Sequence, residues 1–367
     1  MLKLDSKLKN RITKYLEYVL YTGLNLGRND VIEILGPYSI KDTIELICDI
    51  IRSKGNNEII ITYTSGNELL KEINEDWQGF LNKRIDLYNS LINKGFLRLT
   101  LLSPFSIPLP RTDNVDRYLA NASKLAFVND YINSNINQHT IAAIPNIYWA
   151  SKLQIDIDTL WEEIIDLSCK ENKLIPLKNI LNSLKITNLY FKSNTVDLSV
   201  KLIDNCKFLD SNLKTINCIN FISNIPSLEI FRTPNKYGIN GKITSSKPLF
   251  YKNKVYENVY LEFKDGRVIN SNIPDILSIS PSLEYIGEIA LAKYQNNIFY
   301  STLLDENLGC HLALGKALFS PKNENINESN YHIDIVFGTK DLDIFIECNN
   351  EKIKIMEKGE FIWILKQ

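Results

Sequence analysis

Histidine is scarce in this chain, with three in 367 residues, so any role for imidazole rests on His139, His311 or His332. Net charge is missing too: the formal value is −1. No basic excess exists to neutralise phosphates, which removes the usual argument for nucleic-acid binding. No uninterrupted apolar run approaches the roughly 18 residues of a membrane span. The opening stretch, Met1 to Lys9, carries no apolar core of a signal peptide. The six cysteines (Cys48, Cys169, Cys206, Cys218, Cys310 and Cys348) include no Cys-x-x-Cys pair. In a chain this long they read as reduced thiols of a cytoplasmic protein, not as a disulfide framework. No Gly-x-Gly-x-x-Gly follows a strand, no Walker-type loop occurs, and no Gly-x-Ser-x-Gly elbow is present. What is there is ordinary globular composition, 44% hydrophobic and 23% charged, with length for about two domains.

The first half alternates short apolar runs with amphipathic stretches. Val31 to Gly36, Glu58 to Thr64, Leu97 to Leu102 and Thr140 to Ile144 read as buried strands. Between them, Ile40 to Ser53, most of Asn67 to Gly95, and Asn114 to Asn133 read as helices, and Ile155 to Ser168 as another. Such alternation implies a parallel sheet covered on both faces. The second half is different. Leu189 to Lys192 and Val196 to Leu202 alternate like half-exposed strands, and Asp265-Gly266 favours a tight hairpin turn. Leu342 to Cys348 and Phe361 to Leu365 read as strands again. The expected architecture is an α/β N-terminal domain over 1–185 and a β-rich α+β C-terminal metal-binding domain over 186–367.

The chemistry concentrates in the second half. Tyr331 to Phe337 reads as a strand, on which His332 and Asp334 point the same way. A charge among Ile333, Ile335 and Val336 is costly unless it is paired or metal-bound. His311 lies in Cys310 to Leu318, a small-residue, helix-like stretch. Glu288 and Glu229 lie further back, in Gly287-Glu288-Ile289-Ala290-Leu291 and Asn224-Ile225-Pro226-Ser227-Leu228-Glu229. Two imidazoles and several carboxylates from separate elements are what a two-metal hydrolytic site needs, and they suit zinc, cobalt or manganese. A single His or Glu in a β-domain is more often a packed or surface residue than a ligand, so residue types alone stop at a candidate metal site. His139 has no recognisable partner and reads as structural or surface. The mixed charges Glu347, Glu351, Lys352, Lys354 and Glu357 read as a solvated strand face.

Several segments, in order, resemble the M29 metalloaminopeptidases. Asn224-Ile225-Pro226-Ser227-Leu228-Glu229-Ile230-Phe231-Arg232-Thr233-Pro234 resembles that family's Asn-x-Pro-Thr-x-Glu-x-Phe-Thr-x-Pro. Gly287 to Leu291 resembles its Gly-Glu-Val-Ala-Leu. Tyr300-Ser301-Thr302-Leu303-Leu304-Asp305-Glu306-Asn307, followed by His311-Leu312-Ala313-Leu314-Gly315, resembles its Tyr-x-Thr-Leu-x-Asp-Glu-Asn-x-x-x-His-x-Ala-Leu-Gly. His332-Ile333-Asp334 resembles its His-x-Asp block. The resemblance implies a homodimeric aminopeptidase that acts on short peptides. It also implies two divalent metal ions held by Glu229, Glu288, His311, His332 and Asp334, with Glu288 bridging. Glu306, in the matched Asp-Glu-Asn block, is the candidate to carry the proton to the leaving amine. Its competing reading is a supporting or helix-capping carboxylate.

Two positions depart from the family pattern. The family's Tyr seven positions after the first metal-binding His is Leu318 here, and the residue before the first ligand Glu is Leu228. Loss of one oxyanion donor costs about 10²–10³ in rate. The span from Glu288 to His311 is also shorter than the family's. The reading is therefore an aminopeptidase, with reduced activity as one form of it. The alternatives are a non-catalytic metal- or peptide-binding relative on the same scaffold, or a hydrolase for a different bond.

Overall fold

The computed structural model describes residues 5–252, 254–318 and 325–362. Two compact units divide the chain. One comprises Met1–Lys170 with Ser211–Pro226, the other Glu171–Asp210 with Ser227–Gln367. The segment 171–185 thus sits with the second unit, and the first takes back a later insertion.

The first unit is built on a five-stranded parallel sheet. Its strands run in the order Glu58–Tyr63, Val31–Gly36, Phe96–Leu102, His139–Ala143, Asn224–Ile225. The strands are short and rich in Ile, Leu and Val because helices cover the sheet. Glu33 interrupts the apolar run of its strand and is fully buried. The register sets it opposite Arg98 on the neighbouring strand. The guanidinium donates to it through Nε at 2.8 Å and lies 2.6 Å away through Nη2, and Tyr88 donates at 2.7 Å.

Two expected helices are broken here. Asn67–Lys94 kinks at Asp76, whose carboxylate accepts the Gly79 N–H at 2.9 Å and so caps a fresh start inside the segment. Asp113–Asn121 is separated from Ala126–Asn133 by a turn of 3₁₀ helix. Asn121 Nδ2 donates to the Arg117 carbonyl at 2.9 Å, competing with the helix for its own acceptor.

The second unit pairs two antiparallel sheets around one apolar core. The larger has eight strands and includes Ile186–Lys192, Val196–Leu202, Pro234–Thr244 and Asp343–Cys348. The Asp265-Gly266 turn joins two of its strands, Tyr260–Lys264 and Arg267–Ser271, with φ of 48° and 86° at the two turn residues. The expected terminal strand is present at Glu360–Phe361; residues 363–365 of it lie outside the described residues. The smaller sheet has four strands in the order Glu229–Arg232, Ile286–Ala292, His311–Gly315, His332–Val336.

The His311 segment corrects the sequence expectation: it is a strand, not a helix-like stretch. Both faces of it are buried. One face carries Leu312 and Leu314 and the other small residues, so its period of two is hidden in a continuous apolar run.

Candidate metal centre

The register of the four-stranded sheet assembles the candidate residues. Phe231 pairs with Ala290, Ala290 with His311, Glu288 with Ala313, and Ala313 with Asp334. Alternation along each strand then puts Glu229, Glu288, His311, His332 and Asp334 on one face. The opposite face carries Ile230, Ile289, Leu291, Leu312, Leu314, Ile333 and Ile335, all in the apolar core. The polar side chains share their face with Ala290, Ala292, Ala313 and Gly315. Small neighbours leave room for acidic and imidazole side chains to converge over the middle of the sheet.

They do converge. His311 Nε2 lies 3.2 Å from Glu229 Oε2, 3.5 Å from Glu288 Oε1 and 4.0 Å from Asp334 Oδ1. His332 Nε2 lies 3.1 Å from Asp334 Oδ1. Ligand atoms of Glu288, His332 and Asp334 lie within 4.8 Å of one another. Glu229, Glu288 and His311 are buried, while His332 is the most open of the five.

Both imidazoles are oriented from behind. His311 Nδ1 sits 3.1 Å from the Glu306 carbonyl, and His332 Nδ1 2.8 Å from that of Lys316. Each ring therefore donates Nδ1–H to backbone and turns Nε2 toward the carboxylates, the arrangement found behind metal-binding histidines. Gly315, just before Lys316, pairs with His332 across the sheet. Its φ is +96°, and a Cβ there would meet the Tyr331 carbonyl oxygen at 2.2 Å.

Electrostatics follow from crowding. Burial, reinforced by Glu288 and Asp334, pushes the Glu229 carboxyl up to about 7. Burial alone would lower both imidazoles, but the surrounding carboxylates outweigh it and raise His311 to about 9 and His332 to about 10. Asp334 is held low despite its burial, chiefly by His332. Glu229 Oε2 and His311 Nε2 are buried and make no hydrogen bond. A buried imidazole nitrogen facing carboxylates needs a positive charge on it, from a proton or a metal ion. The donor set of two imidazole nitrogens and three carboxylates fits a divalent ion of the zinc, cobalt or manganese type.

Glu306 joins this group. It is buried, and its carboxyl is held well above the usual range by burial and by Asp334, Glu229 and Glu288. Asp305, not Glu306, does the turn-forming work: its two oxygens accept the Phe299 and Ser301 N–H groups at 2.9 and 3.0 Å. Sequence reasoning gave no part to Asn307, whose side chain accepts the Leu228 N–H at 2.6 Å. The run of three polar residues Asp305-Glu306-Asn307 was the available signal, and the structure buries all three. Leu318 is half-buried and offers no side-chain donor; its carbonyl accepts from Thr233 Oγ1 at 3.0 Å. His139 lies in the first unit, its ring 5.0 Å from that of Phe221, and burial beside Arg98 lowers it to about 4. It takes no part in the centre.

Comparison with known proteins places the chain among metalloproteases. The family described as thermophilic metalloprotease (M29) matches residues 8–361. Aminopeptidase 2 of Geobacillus stearothermophilus is 26% identical, over 92% of this chain and 94% of that protein. Aminopeptidase AmpS of Bacillus subtilis (strain 168) is 24% identical, over 96% and 98%. The solved structure of wild-type AmpT from Thermus thermophilus superposes with a TM-score of 0.80 at 20% identity, covering 97% of this chain and all of that one. That likeness establishes a shared fold.

Proposed function

Because the chain belongs to the thermophilic metalloprotease (M29) family, we propose that it is an aminopeptidase cleaving the first peptide bond of short peptides at a site for two divalent ions. One observation carries the reading: the buried, unbonded pair Glu229 Oε2 and His311 Nε2, within a ring of carboxylates. Two imidazoles, each beside its own carboxylate, support two positions. Glu229 with His311 would hold one ion, and Asp334 with His332 the other. Glu288 reaches toward both groups and is assigned the bridge. Bound there, the ions supply Lewis acidity toward the scissile carbonyl and acidify the attacking water.

The chain's own residues do the rest. The backbone carbonyls of Glu306 and Lys316 keep both rings aimed inward. Glu306 is the proton carrier. It is buried beside Asp334, Glu229 and Glu288, and a carboxylate there would take the proton of the attacking water and pass it to the leaving amine. A non-catalytic binding role is favoured by one feature, the absence of a donor on the side chain of Leu318. The burial of Glu306 against the site opposes it.

The test compares a short peptide with its N-acetylated form. Free amino acid should appear from the unblocked peptide alone and stop when a chelator is added. Equal cleavage of both peptides, or no cleavage by folded, metal-loaded protein, would overturn the aminopeptidase reading.

A further inference from the structure

Glu229 opens its strand, at an edge of the four-stranded sheet, and among the described residues its sheet pairing is to Ala292 alone. Leu209 bridges the other side of the strand two residues on, at Phe231, which leaves the first residue with pairing on one side only. Two side-chain amides supply what is missing. Asn172 Nδ2 donates to the Glu229 carbonyl at 2.9 Å, and Asn307 Oδ1 accepts the N–H of Leu228 at 2.6 Å. Asn307 is 1% exposed, and its own Nδ2 donates to the Leu303 carbonyl at 2.9 Å. With both ends of the amide engaged, it cannot turn. The turn that carries it is fastened by Asp305, and the carbonyl of the preceding residue, Glu306, orients His311.

We propose that Asn307 is a positioning residue, which places the carboxylate of Glu229 by holding the backbone N–H of the preceding residue, Leu228. The inference rests on the reading of Glu229 as a metal ligand. Supporting residues of this kind typically change metal affinity by about 10–100-fold when replaced.

The test uses chelator competition for zinc or cobalt on the full chain, together with the visible spectrum of the cobalt form. Asn307→Leu keeps the branched shape of the side chain and removes both hydrogen bonds. It should weaken binding by about 10–100-fold and alter the cobalt spectrum. Asn307→Asp keeps the acceptor for the Leu228 N–H and should bind close to wild type. A merely structural Asn307 would lower the unfolding midpoint of Asn307→Leu and leave its metal affinity unchanged, which would overturn the proposal. Equal weakening of both variants would also overturn it. If Asn307→Leu does not fold, Asn307→Ala removes the same two hydrogen bonds without added bulk and decides instead: weakened binding supports the proposal and wild-type affinity overturns it. Glu229→Gln separates the two readings. Weak binding there with tight binding in Asn307→Leu removes this inference only, whereas tight binding in Glu229→Gln removes the ligand assignment and this inference with it.

Discussion

His311 Nε2 and Glu229 Oε2 face each other at 3.2 Å, buried, and neither makes a hydrogen bond. The ring cannot turn away, because its Nδ1 is held by the carbonyl of Glu306. The pair is unfavourable without a positive charge, and either a proton or a metal ion supplies one.

Proton and metal therefore compete. In the metal-free protein His311 titrates at about 9 and His332 at about 10. At neutral pH both rings are protonated and must release protons to bind metal. Metal loading at pH 7 should release protons, measured by calorimetry in buffers of different ionisation heat, and affinity should fall as pH falls. The raised values also set a stability sign. The imidazole contribution is complete below the unfolded value of about 6.5 and is lost as pH rises through about 9 and 10. The unfolding midpoint of chelator-treated protein should decline across that window. A flat profile would contradict the assigned contacts.

Glu306→Gln keeps the shape of the side chain and removes the proton carrier. Turnover should fall by about 10²–10⁴, with metal content retained. Loss of metal in this variant would make Glu306 a ligand instead.

Leu318→Tyr tests the one departure that bears on rate. If the position retains the family geometry, a phenol there should raise turnover, by up to about 10²–10³. Unchanged turnover would show that this site stabilises its intermediate by other groups.

In the first unit, Arg98→Met leaves the buried Glu33 without its cation. Removing one partner of a buried pair costs about 3–5 kcal/mol, so the denaturant midpoint should drop sharply. Replacing both, as Glu33→Leu with Arg98→Met, should recover much of the loss.

The strands of the first unit were legible as short apolar, β-branched runs such as Ile59-Ile60-Ile61, although that run lies on an edge strand and Ile61 is exposed. His332 and Asp334 were legible as a same-face pair. The His311 strand was not, since Ala313 and Gly315 give its polar face no polarity to show the alternation. The two-residue strand Asn224–Ile225, which pairs with His139–Ala143 from more than 80 positions away, leaves no local pattern. The meeting of Glu229, Glu288 and His311 depends on strand register, so only the family resemblance linked them beforehand. Asp76 and Asn121 broke helices through single side-chain hydrogen bonds that periodicity does not register.

The most direct test of the account is a metal titration of chelator-stripped protein, with release of the N-terminal amino acid from a short peptide read at each addition. In the wild-type chain, stripping should abolish release, and activity should return and saturate once both proposed positions fill. Glu288→Ala should bind metal weakly and remain inactive throughout. Activity that survives stripping, or that returns fully in Glu288→Ala, would contradict a hydrolytic centre built on these five residues.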